Sequence, residues 1–351
     1  MAKCLLLLFV SLMIGLSGSS LAGNSLTIIA TGDMMLGSWT EDVILEKGYG
    51  YPFEKIDSIL KSGDIVFTNL EAPFGEGGEA FPKKYSFQVK PELVNVLEAG
   101  HINLVSLANN HIMDFGVKSM MQTRALLDEK NIHYAGAGMN ITQAREAATW
   151  RVDNRNIAFV AYSLTFPEEF WASDTSAGTC FPSHTFVYKD IRKLKAENDL
   201  VIVSCHWGQE LLNTPKEYQV KLAHKLVDAG ADLIIGHHPH VIQGIEFYMG
   251  KLIAYSLGNF IFGSYSDKAT ESMILKIQIA VDNSISCNIV PINVYNAEID
   301  FQPSPLNGEK REHFFRTIKD LSWELNSTPI VIRSDGEIKI KNSLNQTKSI
   351  P

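Results

Sequence analysis

The sequence predicts an α/β fold in which helices cover both faces of central sheets and a ligand site lies at the strand carboxyl ends. Three observations lead there. From Leu26 onward, short β-branched runs alternate with segments whose apolar residues recur at helical spacing. The strand-like runs are apolar throughout, as expected of strands buried on both faces. Several of them end in residues able to bind a metal or move a proton.

The elements follow in order. "LTIIATG" (26–32) is a strand ending at glycine, and "YPFEKIDSILKSG" (51–63) has the spacing of a helix stopped by glycine. "DIVFTNLE" (64–71) is strand-like, "PELVNVLEAG" (91–100) helix-like and "INLVSLANN" (102–110) strand-like again. The helix "GVKSMMQTRALLDEKN" (116–131) precedes "IHYAG". The second half repeats the pattern with "NIAFVAYS", "YKDIRKLKAEN", "DLVIVSCHWG", "TPKEYQVKLAHKLVDAG" and "ADLIIGHH". After Lys251 the helical signals thin into the strand-rich runs "LIAYSLGNFIF", "SMILKIQIAV" and "SISCNIVPINVYN". The last thirty or so residues turn polar, which predicts a loosely held tail.

The first residues read as a targeting segment. Lys3, the apolar "CLLLLFVSLMIGL" and the small residues Ser20 and Ala22 form a secretory signal pattern over residues 1–22, so the mature chain is expected to be exported to the periplasm or cell exterior. Retention of the uncleaved segment would leave it membrane-associated. Residues 23–300 are expected to form the main domain, with 301–351 an extension completing or packing on it. The formal charge of −8 gives no electrostatic footprint for nucleic acid. Cys180, Cys205 and Cys287 are widely spaced, so no disulfide framework can be read from them.

Function is legible at the strand ends. Asp33 follows the first strand; Asn69 and Glu71 follow the second; Asn110, His111 and Asp114 follow the third. His206 follows a fourth, and His237, His238 and His240 follow a fifth. In open α/β sheets that edge is the ligand-binding crevice, so the five groups can converge. The donors are carboxylates, an amide and imidazoles without thiolate, a set suited to manganese, iron or zinc. Two such ions about 3.5–4 Å apart could activate a water for attack on a phosphoester. Asp114 reads better as the N-terminal cap of the following helix than as a ligand. His101, His133, His184, His224 and His313 have no supporting constellation and read as surface or structural residues; for His224 no partner is apparent. The glycines of "GEGGEAFPKKYSF", which carries Lys83, Lys84 and Tyr85, suggest a mobile loop near the crevice.

Together, "TGDMMLG", "TNLEAPF", "SLANNHIMDFG", "SCHWGQE", "GHHPHVIQGIE" and "YSLGNFIFG" resemble the CapA family of poly-γ-glutamate capsule synthesis proteins, over roughly Leu26 to Gly263. That family looks like a divergent branch of the calcineurin-like metallophosphoesterases. The resemblance implies a four-layer α/β/β/α sandwich, its second sheet completed by the strands after residue 265. It implies one or two divalent ions held by Asp33, Glu71, Asn110, His206, His238 and His240, with His111 as the acid that protonates the leaving group. Asn69 competes with Glu71 for the bridging place, and the family resemblance makes Asn259 a site-lining candidate. The Asp-x-His pair of the first motif is matched at Asp33, but Met35 stands in the histidine place. A thioether is a soft, weak ligand for these ions, leaving a mononuclear site and a substituted ligand both open.

Two functions follow from this. One is an exported metal-dependent phosphoesterase-like hydrolase of capsule or polyglutamate metabolism, acting on an anionic envelope polymer or a phosphoester. The other is a non-catalytic metal- or polymer-binding component of a membrane capsule-assembly complex. Among the clustered histidines, alternate residues of an extended chain point the same way. His238 and His240, with Pro239 stiffening the chain between them, should therefore face one site. His237 should point away, as a hydrogen-bond partner or packing residue.

Overall fold

In the computed structural model, which describes residues 25–340, the chain builds two large sheets in succession and then returns to the first. Strands β1 (Leu26–Met35), β2 (Ile65–Leu70), β3 (Leu104–Ser106) and β4 (His133–Ala135) lie parallel in the first sheet. The second contains β5 (Ala148–Val152), β6 (Arg155–Ser163), β7 (Leu200–His206), β8 (Leu233–His237), β9 (Ile245–Tyr248) and β10 (Lys251–Ala254), in the order β9-β10-β8-β7-β6-β5. The chain then crosses back as β11 (Asn259–Phe262), β12 (Glu271–Ile279), β13 (Ile285–Asn293), β14 (Ile330–Ile332) and β15 (Glu337–Ile340). The first sheet reads β14-β15-β13-β12-β1-β2-β3-β4, with β11 beside the far end of β1.

Period-two side-chain alternation explains why the strands are apolar on both faces. In β1, Ile28 and Ala30 enter the core between the sheets, while Ile29 packs on the other face with Ile44 of α1 (Trp39–Lys47) and Met120 and Leu127 of α2 (Gly116–Glu129). In β6, Phe159 and Ala161 face between the sheets. Ala158, Val160 and Tyr162 pack with Val187 and Ile191 of α3 (Val187–Glu197) and Leu222 and Leu226 of α4 (Glu217–Ala229). Phe67 and Phe159 meet across the sheets with ring centroids 5.3 Å apart. Each fully buried Ile, Leu, Val, Met or Phe among them contributes about 1.5–3 kcal/mol of burial. The result is the four-layer α/β/β/α sandwich.

Several segments depart from the sequence reading. The strands after residue 265 join the first sheet rather than the second, because β1 has a free edge opposite β2 and β12 fills it antiparallel, from Leu26↔Ile279 to Ala30↔Leu275. "LIAYSLGNFIF" is not one strand: β10 ends at Ala254 in the second sheet and β11 begins at Asn259 in the first. The two expected helices over 51–63 and 91–100 are short 3-10 and α turns. The predicted loose tail is partly ordered, since β14 and β15 pair with each other and β15 pairs with β13. Helix α5 (Gly308–Leu321) places Phe314 and Ile318 in the core between the sheets, where their apolar area is removed from water. The targeting segment 1–22 and the final "NSLNQTKSIP" lie outside the described residues. Among the described residues no helix is long and apolar enough to cross a membrane.

Two glycines let the sheets close around their carboxyl ends. A Cβ on Gly32 would lie 1.9 Å from the Gly258 carbonyl oxygen, and one on Gly236 2.0 Å from that of Tyr255. Each immediately precedes a site residue, Asp33 or His237. We expect Gly32→Ala to push β11 off β1 and to destabilise the fold by about 1–3 kcal/mol. A urea titration should show a lower midpoint with an unchanged slope.

Candidate metal centre

The polar residues at the strand ends converge where the two sheets meet. The first sheet brings Asp33 within β1, Asn69 in β2, Glu71 just after it, and Asn109 to His111 after β3. The second brings His206 at the end of β7 and His237 to His240 at and beyond the end of β8. Asp33, Asn69, Glu71, Asn109, His206 and His237 are completely buried.

The His237–His240 segment is not extended. His238 and His240 have φ of 96° and 58°, the left-handed region that β-carbon residues avoid. The two imidazoles therefore reach the site through a turn rather than through strand alternation, and the turn is tied down by the His238 backbone N–H donating to Asp33 Oδ2 at 3.2 Å. Such strain, about 1–3 kcal/mol per residue, persists only where surrounding contacts impose it. His237 packs edge-on against Phe67, between the sheets, with Nδ1 3.1 Å from Asp33 Oδ1 but without hydrogen-bond geometry. It belongs to neither of the donor groups described next.

Two groups of side chains have metal-ligating atoms close enough to share an ion: Glu71, His206 and His238, and Asp33, Glu71 and His240. Glu71 belongs to both. Its Oε2 is 3.1 Å from Asn69 Nδ2, whereas its buried Oε1 has no hydrogen-bond partner and stands 3.8 Å from His206 Nε2 and 3.7 Å from His240 Nε2. With bonds of about 2.0–2.2 Å to each donor, two ligands of one ion stand roughly 3–4 Å apart. An orphaned carboxylate oxygen at that distance from two imidazole nitrogens fits a bridge between two cations. His238 Nδ1 is likewise buried without a partner. Asn110 Oδ1 lies 2.7 Å from His206 Nε2, which puts it beside the first group. His240 Nδ1 donates to Asn259 Oδ1 at 2.9 Å, holding the ring in the tautomer that offers Nε2 as a ligand. Met35 is in neither group: it is buried in the helix-side core, packed against Gly37 and Gly263.

The electrostatics of the cluster are divided. Burial, reinforced by the Asp33 charge, pushes Glu71 well above the usual carboxylate range. Burial also works against ionised Asp33, but its contacts with His237 and His240 outweigh it and hold Asp33 well below that range. Burial and then the neighbouring His238 push His206 well below the usual imidazole range, and burial together with His240 pushes His238 down to about 3. His240 is raised: burial opposes the charge, but Asp33 more than compensates.

Beside the two groups, His111 Nδ1 stands 2.7 Å from Asp114 Oδ2, leaving Nε2 as the nitrogen open to a substrate. Asp114 is therefore not a helix cap; α2 has no side-chain cap, and the Asp114 oxygens are taken up by His111, the Phe87 backbone N–H at 2.8 Å and Lys83 Nζ at 2.5 Å. Lys83 also donates to the Asn110 carbonyl, so the glycine-rich segment is pinned at its lysine rather than free. Lys83 thus stands beside the crevice, where its segment was expected, while Asn109 and Glu210 are functional candidates that the sequence reading did not single out. Glu210 lies near enough for its charge to act on Glu71, Lys83 and His240. The glutamate ending "SCHWGQE" and the doubled asparagine of "SLANNH" were the available signals. Away from the site, His101 pairs with Asp57, His133 stacks on Trp150 and His184 on Tyr188, and His224 does have a partner, Glu246 at 2.8 Å.

Known proteins resemble the chain over most of its length. A family model described as bacterial capsule synthesis protein PGA_cap matches residues 27–264. The PGA biosynthesis protein CapA of Bacillus subtilis is 29% identical over 319 residues, covering 89% of this chain and 83% of that protein. The capsule biosynthesis protein CapA of Bacillus anthracis is 28% identical over 326 residues, covering 91% and 78%. Among solved structures, the NAD nucleotidase of Haemophilus influenzae superposes with a TM-score of 0.47 at 14% identity, over 87% of this chain and 64% of that one.

The site sets two expectations for metal binding. Glu71 must lose its proton to bridge two cations, so manganese or zinc binding should release protons and tighten with rising pH, by up to about tenfold per pH unit for each proton displaced. Titration calorimetry in buffers of different ionisation enthalpy reads this directly, and buffer-independent heats would contradict it. His240→Ala should lose far more metal affinity than His237→Ala, whose effect through Asp33 should stay within about 10–100-fold.

Proposed function

The chain belongs to the bacterial capsule synthesis protein family, and on that premise we propose that it is a metal-dependent hydrolase of phosphoester-type chemistry serving capsule or poly-γ-glutamate synthesis. The observation that carries this reading is Glu71 Oε1, buried, unpartnered and set between the Nε2 atoms of His206 and His240. Asp33, Glu71 and His240 would hold one divalent ion; Glu71, His206 and His238, with Asn110, would hold the other. The oxygen and nitrogen donors suit manganese, iron or zinc. When bound, such a pair supplies Lewis-acid activation of the ester and of water.

The chain's own residues supply the rest. Asp114 fixes the His111 ring through Nδ1, so Nε2 can carry a proton to a leaving oxygen. Asn259 and the His238 turn keep the ligand imidazoles aimed inward before any ion arrives, which lowers the ordering cost of binding. The names of the Bacillus relatives support a capsule or polyglutamate role; an anionic envelope polymer or a phosphoester as substrate and a membrane synthesis complex as partner are part of the proposal. Export through residues 1–22 is part of the proposal and rests on their signal-like sequence. A second reading, a non-catalytic metal- or polymer-binding component, is favoured by one observation: Met35, at the place where the resemblance expects a ligand histidine, is packed away in the helix-side core.

The two readings separate in one experiment. Manganese-loaded protein should hydrolyse a member of a phosphomonoester and diester panel. His111→Ala should lower kcat by about 10²–10⁴-fold while leaving metal content unchanged. Full metal occupancy without turnover on that panel would favour the binding reading.

A further inference from the structure

The Asn109 side chain hydrogen-bonds to none of the carboxylates or imidazoles of the two donor groups, yet it determines which atom of Asn69 they meet. The orientation of an asparagine amide is assigned from its neighbours, and here the neighbours leave no choice. Asn109 Oδ1 accepts from the backbone N–H groups of His111 at 3.1 Å and Ile112 at 2.9 Å, which can only donate. Its Nδ2 donates to the Leu70 carbonyl at 2.8 Å, which can only accept. The remaining Nδ2 hydrogen points at Asn69, 3.2 Å away, so Asn69 must present Oδ1 there. Asn69 Nδ2 is thereby turned into the cluster, 2.8 Å from Asp33 Oδ1, 3.1 Å from Glu71 Oε2 and 3.2 Å from His206 Nδ1.

We propose that Asn109 is a positioning residue whose amide locks Asn69 as a donor, and that Asn69, rather than ligating a metal, holds one oxygen of each carboxylate so that the other faces the cations. The inference rests on the metal-centre reading. Oriented this way, Asn69 offers hydrogens and no lone pair to the cluster. By holding Glu71 Oε2 it leaves Oε1 as the free, bridging oxygen. By holding Asp33 Oδ1 it leaves Oδ2 toward His240, 3.3 Å from its Nδ1. The relay starts at two rigid backbone amides following β3 and ends at the carboxylates of β1 and of the loop after β2, so three neighbouring strands fix one geometry.

The test is a double-mutant cycle on metal affinity, which needs no turnover. Dissociation constants for manganese and zinc are measured by calorimetry for the unaltered protein, Asn69→Leu, Asn109→Asp and the double variant, with metal content checked by elemental analysis. The carboxylate that Asn109→Asp introduces keeps an acceptor for the two backbone amides but cannot donate to Asn69. Each single variant should bind metal about 10–100-fold more weakly, and the double variant no more weakly than Asn69→Leu alone, because the aspartate keeps the contacts with the His111 and Ile112 amides and loses its hold on Asn69. If the two losses multiply, or if Asn109→Asp binds like the unaltered protein, the relay is overturned while the metal centre stands. If the unaltered protein takes up no metal, both readings fall. Near-ultraviolet circular dichroism of the metal-free proteins verifies folding, and Asn109→Ser replaces the aspartate variant if that one does not fold.

Discussion

The constraint on which the rest of the structure depends is the burial of two carboxylates and several imidazoles in one place without enough partners. Unpaired buried charge is costly, and a partly satisfied polar network is worse than an apolar core unless something completes it. Here Asp33 is satisfied by Asn69 and flanked by histidines, while Glu71 Oε1, where both donor groups meet, and His238 Nδ1, in one of them, are left without partners. Divalent cations would complete the network and invert its proton balance, since the ion becomes the largest local charge. The incomplete satisfaction is thus the clearest sign of what the cluster is for.

Much of the fold serves that point. The two sheets pack through a common core and deliver their strand ends to one edge, Asp33, Glu71 and Asn110 from one sheet and His206, His238 and His240 from the other. Gly32 and Gly236 allow backbone contacts that no side chain would permit, next to Asp33 and His237. The crossover between the sheets sets Asn259 opposite Asp33 in register and against His240. The strained φ angles of His238 and His240 are held by the same contacts, as is usual where geometry matters more than local stability.

Strands apolar on both faces showed that each sheet is covered on both, and polar groups closing apolar runs made the strand-end residues conspicuous. That the inner cover is the other sheet rather than helices was implied only by the family resemblance. What the sequence hid was long-range. Nothing local says that β12 will take the free edge of β1, or that "LIAYSLGNFIF" will change sheets at Tyr255–Gly258. The orientation of the Asn69 amide is not legible in sequence because it is set by a neighbour forty residues away, Asn109. Asp114 resembles a cap because it precedes a helix, but complete burial beside His111 and Lys83 gives its oxygens other partners. Strand alternation sorts the histidine triplet only if the chain is extended there, whereas it makes a turn.

The central claim is that Glu71 is shared between two cations. Crystals of the protein soaked with manganese and measured at its absorption edge test it most directly. Two anomalous peaks about 3.5–4 Å apart are expected, with Glu71 Oε1 between them, one flanked by Asp33 and His240 and the other by His206 and His238. A single peak, or two ions with no oxygen of Glu71 in common, would contradict it.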